Sequence, residues 1–220
     1  MLRSIRNTAL FTASGLMLAS AALAATPSPA NSSIPACFSL VGSNGAVPDP
    51  AGAFRVIVRD NFNNPMPGAT VTIDLLGCTD LKICANQLDA AATVTCNLAR
   101  TSKLTDLLGQ ATFIVLGGSN GYNLTTLQTN ATTLLGGAKI LANGALLGSA
   151  TASCYDLDGA GGVSVNDQSV WLTDFGSPGG PPYGRSDFDC SGSIGVNDFS
   201  LLLTELGGGN STVSCGATCP

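Results

Sequence analysis

Two stretches toward the C-terminal end place aspartates at repeating intervals. Residues 156–176 (DLDGAGGVSVNDQSVWLTDFG) align without gaps on residues 187–207 (DFDCSGSIGVNDFSLLLTELG), and ten of the 21 positions are identical. An internal repeat of this kind marks a duplicated structural unit. Numbered from its first aspartate, each unit carries a carboxylate at positions 1, 3 and 12 and a glycine at position 6: Asp156, Asp158, Gly161 and Asp167, then Asp187, Asp189, Gly192 and Asp198. Calcium, a hard cation, takes about six to eight oxygen ligands. A loop of about twelve residues supplies them from positions 1, 3, 5, 7, 9 and 12, with glycine at 6 for the sharp turn. The first loop therefore offers Asp156, Asp158, the carbonyl of Gly162 at position 7, Ser164 at position 9 as the holder of a water, and Asp167. The second offers Asp187, Asp189, Ser191 at position 5, the carbonyl of Ser193 at position 7, and Asp198. Ala160 stands at position 5 of the first loop, where an oxygen is wanted, so that loop is expected to bind more weakly.

Electrostatics points the same way. Two carboxylates about 4 Å apart repel by roughly 4 kcal/mol at an effective dielectric near 20. A bound divalent cation turns that repulsion into attraction. A solvated acidic turn would explain the charge but neither the glycine register nor the duplication. After each loop the spacing predicts a helix, with Asp167 and Asp198 as its N-terminal caps and Gly176 and Gly207 as its stops. Val170, Trp171 and Phe175 in the first helix, and Phe199, Leu202, Leu203 and Leu206 in the second, recur near helical spacing. They are expected to pack the helices together, with a partner-binding face around Trp171 as the alternative.

Charge divides the chain. From Ala25 to Ala150 six basic residues balance six acidic ones, whereas Thr151 to Pro220 holds eight acidic residues against Arg185 alone, a net of −7. Such asymmetry asks for a counterion or a basic partner and gives no footing for nucleic acid. Residues 1–24 read as a secretory signal peptide: Arg3 and Arg6, an apolar run, then Ala22-Leu23-Ala24 as the cleavage form. No later segment reads as a membrane span. All eight cysteines follow that signal, and an even number in an exported chain is expected to form disulfides. If no bridge crosses residue 154, the four cysteines on each side allow three pairings apiece. There is no histidine, which removes the usual zinc spacings.

Between a flexible lead-in at 25–36 and about residue 153 the pattern has a period of two. Phe54, Val56 and Val58 share one face, as do Val71, Ile73 and Leu75, then Val94, Cys96 and Leu98, then Ala111, Phe113 and Val115. Alternation places such residues on the buried side of half-buried strands. Asn64-Pro65-Met66-Pro67-Gly68, Gly117-Gly118-Ser119-Asn120-Gly121 and Asn143-Gly144 read as turns. The expected fold is mostly β, a β-sandwich over 37–153, followed by a small α-helical calcium module over 154–207 and a Cys-containing tail at 208–220.

Two resemblances sharpen this. The stretches VRDNFNNPMPGATVTID (58–74) and TDLLGQATF (105–113) resemble the strand-turn-strand signatures of bacterial immunoglobulin-like domains of the invasin and intimin type, over roughly residues 38–150. The CTDLKICANQ insertion (78–87) departs from that family's pattern. The two loop-helix units, with aspartate at position 12 and the connector SPGGPPYGRS, resemble a type I dockerin over about 154–207. That resemblance implies a plug that folds on binding calcium and docks onto a cohesin-like domain through positions 10–11 and the following helix. Here those positions are Val165-Asn166 and Val196-Asn197, where cellulosomal dockerins usually carry small hydroxyl residues. Calcium binding carries over, but a cellulosomal cohesin does not.

The expected function is a secreted, non-catalytic adhesion or assembly protein whose acidic module holds calcium and presents a docking surface. The rival is a structural subunit of an extracellular filament or surface layer, built from copies of itself through the β-sandwich and its N-terminal segment. An enzyme is not expected: there is no histidine and no G-x-S-x-G, and the only clustered carboxylates stand in calcium register.

Overall fold

The computed structural model describes residues 26–44, 47–78, 81–120, 137–177, 184–207 and Cys219. The signal peptide expected at 1–24 lies outside these residues, as do residues 178–183 of the connector and the tail at 208–220 apart from Cys219.

In chain order the strands are β1 (Cys37–Leu40), β2 (Ser43–Asn44), β3 (Val47–Pro48), β4 (Ala53–Ile57), β5 (Thr70–Asp74) and β6 (Leu81–Ile83). They continue with β7 (Thr93–Thr95), β8 (Arg100–Leu104), β9 (Gln110–Ile114), β10 (Gly117–Ser119), β11 (Ala138–Ala142) and β12 (Ala145–Cys154). Two helices follow, α1 (Val165–Asp174) and α2 (Val196–Gly207). The fold is mostly β, as expected. Six strands form one sheet in the order β1-β12-β11-β5-β8-β7, and β4 pairs with β9 in a separate two-stranded sheet.

Alternation decides which side chains enter the core these sheets share. Val71 and Ile73 of β5, Val56 of β4, and Ala111 and Phe113 of β9 are all buried. Phe54 lies between Phe38 of the large sheet, at 4.4 Å between ring centroids, and Phe113 of its own sheet, at 5.7 Å. Offset aromatic pairs at such distances add to the burial energy. The turn at Asn143-Gly144 has φ of +47° and +80°, as a two-residue hairpin with right-handed strand twist demands.

Two sequence expectations are corrected. Gly117-Gly118-Ser119 is a strand, not part of a turn: β10 pairs antiparallel with β6, which lies inside the cysteine-bearing insertion. The strand expected over 92–98 ends at Thr95, after which Cys96–Leu98 form a 3-10 turn ended by Ala99 in the left-handed conformation, although Val94, Cys96 and Leu98 stay half-buried and the residues between them exposed.

β12 runs the length of the strand-rich part. The hairpin at its start lies at the same end as the loops at 58–66 and 105–109, since Val71 pairs with Ala142, Thr70 with Leu104 and Ile57 with Gln110. The far end of β12 pairs in parallel with β1, Leu40 opposite Cys154, and leads directly into the acidic loops. A second apolar core seals this junction. Val41 and Leu116 pack there with Tyr155, Leu157, Trp171, Phe188 and Leu202. Covalent links reinforce it. Cys37 bridges to Cys190 in the second loop and Cys96 to Cys219, so both pairs cross residue 154 rather than staying on one side of it. Cys84 is also disulfide-bonded.

Candidate metal centre

Each acidic loop is anchored by apolar residues at positions 2 and 8. Leu157 and Val163 serve the first loop and Phe188 and Ile194 the second, and all four are buried. These anchors turn the intervening polar residues onto one side. Asp156, Asp158 and Asp167 thereby come together, as do Asp187, Asp189 and Asp198, each residue offering one carboxylate oxygen that lies within 4.8 Å of those of the other two.

The loops fold alike, and backbone hydrogen bonds show it. Asp167 Oδ1 accepts from Asp158 N at 2.9 Å, and its Oδ2 accepts from Ser164 N. Asp198 makes the matching pair, from Asp189 N at 3.1 Å and Gly195 N at 2.8 Å, and adds Phe188 N at 2.7 Å. Asp156 Oδ2 accepts from Gly161 N at 3.1 Å and Asp187 Oδ2 from Gly192 N at 3.0 Å. Gly161 and Gly192 have φ of +99° and +83°, a conformation that side chains rarely adopt. Position 6 is glycine for the reason expected.

Other assigned residues take more specific places. Ser191 Oγ at position 5 lies 3.0 Å from the Ser193 carbonyl at position 7, to which it donates, so both oxygens sit on the same stretch of loop. Gly162, at position 7 of the first loop, is half-buried. Ser164 accepts from Asn166 N at 3.1 Å and is itself the N-cap of α1, while Asp167 completes a capping box from the third helical position. The cap of α1 is therefore Ser164, not Asp167. Trp171 is 2% exposed and stacks on Phe199 of α2 at 4.7 Å, so it packs the helices together rather than facing outward.

Burial pushes the Asp156 carboxyl up to about 7, helped by the nearby charges of Asp167 and Asp158. Burial also raises Asp167 and Asp187. Asp189, at the surface, is held low by the Ser191 hydroxyl and backbone. Asp156 Oδ1 is sealed from solvent and accepts no hydrogen bond from a protein donor. A buried carboxylate oxygen without a donor is costly unless a proton or a cation completes it. The donor set is all oxygen, which suits a hard cation such as calcium.

Sequence reasoning missed three contributors, because each depends on contact with a segment outside the repeat. Lys82 of β6 reaches the first loop and donates to the Gly159 carbonyl at 3.2 Å. A Cβ on Gly118 of β10 would come within 2.7 Å of Asp156 Oδ2, so only glycine lets that strand approach the loop. Cys190 occupies position 4 of the second loop and is bonded to Cys37 at the start of β1.

Comparison with protein-family models, curated proteins and solved structures finds no match. Among the described residues no helix is long and apolar enough to cross a membrane.

Proposed function

We propose that this chain is a secreted, non-catalytic calcium-binding adhesion or assembly protein, in which a dockerin-like module on an immunoglobulin-like β-sandwich docks a protein partner. The observation that carries the reading is the pair of superimposable aspartate triads, one of which buries a carboxylate oxygen with no donor. Calcium supplies the missing charge at both loops. Beyond residue 154 the only lysine or arginine is Arg185, and it is paired with Asp174. The disulfides suit an oxidising, extracellular setting.

The docking face is the outer side of the helices. Val165 and Val196 are 68% and 72% exposed, and Leu172 and Leu203 follow them one heptad later on the same sides. The repeat thus presents two similar apolar stripes, which fits binding to a cohesin-like domain in either of two orientations. Calcium titration of the mature protein tests the ion, and capture of a partner with and without calcium tests the docking. Heat and structural change at micromolar to millimolar calcium are expected. Their absence defeats the reading.

A second reading, a subunit of an extracellular filament or layer, is favoured by the opposite end of the molecule. There Phe62 and Leu107 are more than four-fifths exposed on adjacent loops. Asp60 and Asp106 brace those loops by accepting backbone N–H groups through Oδ1. Sedimentation of Phe62→Ser and Leu107→Ser variants separates the two. Assembly that survives these changes but is lost on chelation belongs to the helical module.

A further inference from the structure

Asp174 and Glu205 hold the same place in the two repeat units, and both are buried. Their partners are opposite in kind. Asp174 is neutralised by Arg185, which donates from Nε and Nη2 at 2.6 Å each, and by the Ser186 hydroxyl at 2.7 Å. Glu205 takes part in none of the ion pairs among the described residues. Its neighbour is another acid, Asp49, close enough to act on its carboxyl.

Asp49 precedes the 3-10 turn Pro50–Gly52 that leads into β4, so the contact joins α2 to the strand-rich part. It is 2% exposed. Its Oδ1 accepts from Ala51 N at 2.9 Å, whereas its Oδ2 is buried with no ordinary donor. Two carboxylates in contact away from water do not both ionise; one keeps a proton. That proton is the donor Asp49 Oδ2 lacks. The third group at the junction is the Tyr155 phenol. Burial pushes it to about 12, with the charges of Glu205, Asp49 and Asp198 adding to the rise and a hydrogen bond to Ser39 opposing it.

We propose that Glu205 keeps its proton against the buried Asp49 Oδ2 and forms a latch that holds α2 against the strand-rich part and loosens as the pH rises. Burial, and then the Asp49 contact, raise Glu205 from 4.5 to about 8. A group raised in the docked form favours docking fully below its free value. Docking weakens as pH climbs from about 4.5 and reaches a floor above about 8. The Cys37–Cys190 bridge keeps the module tethered, so the opening is local and reversible.

The test is a carboxyl-carbon NMR titration of the disulfide-intact protein, joined to amide hydrogen exchange of α2 relative to α1, with calcium present throughout. The Glu205 carboxyl is expected to titrate near 8, and protection of α2 to fall by up to about tenfold per pH unit across the window. Glu205→Gln and Asp49→Asn should each flatten that fall. An ordinary Glu205 titration near 4.5, or a Glu205→Gln protein with the wild-type pH response, overturns the latch. So does a Glu205 signal that, in a calcium-free sample at pH 6, moves to the ionised position when calcium is added, because the pair would then hold an ion. The wild-type titration stands even if a variant fails to fold. Because the latch lies outside both loops, its failure leaves the calcium reading untouched.

Discussion

Cys190 holds, at φ +58°, the left-handed backbone that Gly159 holds at +72° in the first loop. A side chain in that conformation costs roughly 1–2 kcal/mol, and the bond to Cys37 fixes it there. The cross-link thus keeps the second loop in its binding shape and joins it to the sheet. With Cys37→Ser as the common background, Cys190→Gly should bind calcium in the second loop about fivefold or more tightly than Cys190→Ser. Equal affinities in titration calorimetry would show that the backbone at position 4 does not matter.

The two loops should rank as the sequence orders them. Asp187→Ala or Asp198→Ala should cost more calcium affinity than Asp156→Ala, because Ser191 supplies an oxygen where Ala160 does not. The structure adds a second handicap to the first loop, the Lys82 ammonium on the Gly159 carbonyl. Ala160→Asp and Lys82→Met should therefore each tighten the first loop. A larger loss from Asp156→Ala reverses the ranking.

Proton release should accompany calcium binding. Asp156, pushed up to about 7 by burial and by Asp167 and Asp158, is largely protonated at mildly acid pH, and calcium must displace that proton. Affinity of the first loop should fall as pH drops through about 7, and binding heats should differ between buffers of different ionisation enthalpy. Without calcium the sign for stability is opposite. The raised carboxyl favours the folded form at low pH, and that contribution is lost as pH rises toward 7. A calcium affinity that is flat from pH 5 to 8 contradicts this.

Arg185 and Asp174 form an ion pair that is almost completely buried. Arg185→Ala should destabilise the protein by about 3–5 kcal/mol, since it leaves a carboxylate buried without its partner. Replacing both by leucine should cost far less. Denaturant unfolding in saturating calcium measures both, and a loss under 1 kcal/mol for Arg185→Ala would refute the first expectation.

The sequence made the strand faces of β4, β5 and β9 readable because alternation is a period that a single row of residues displays. The acidic loops were readable because duplication fixes their register. What escaped was contact between distant segments. Gly117 and Gly118 read as a turn, yet β10 needs glycine because the Lys82 carbonyl and the Asp156 carboxylate leave no room for a Cβ. Ser164 took the cap expected of Asp167, which had to remain close to Asp158 N. The cysteine pairing was hidden for the same reason: no count of spacings reveals that Cys37 and Cys190 meet across the end of β12.

The course of β12 from hairpin to acidic loop has a mechanical consequence. A pull between the hairpin end of β12 and the helices α1 and α2 is directed along the strand. The hydrogen bonds that β12 makes to β1 and β11 are then loaded in shear, many at once, rather than peeled one after another. Beyond that the Cys37–Cys190 bridge acts as a covalent stop, because the second loop cannot move away without dragging β1 with it. A tether built this way passes traction from one pole to the other while its rungs share the strain.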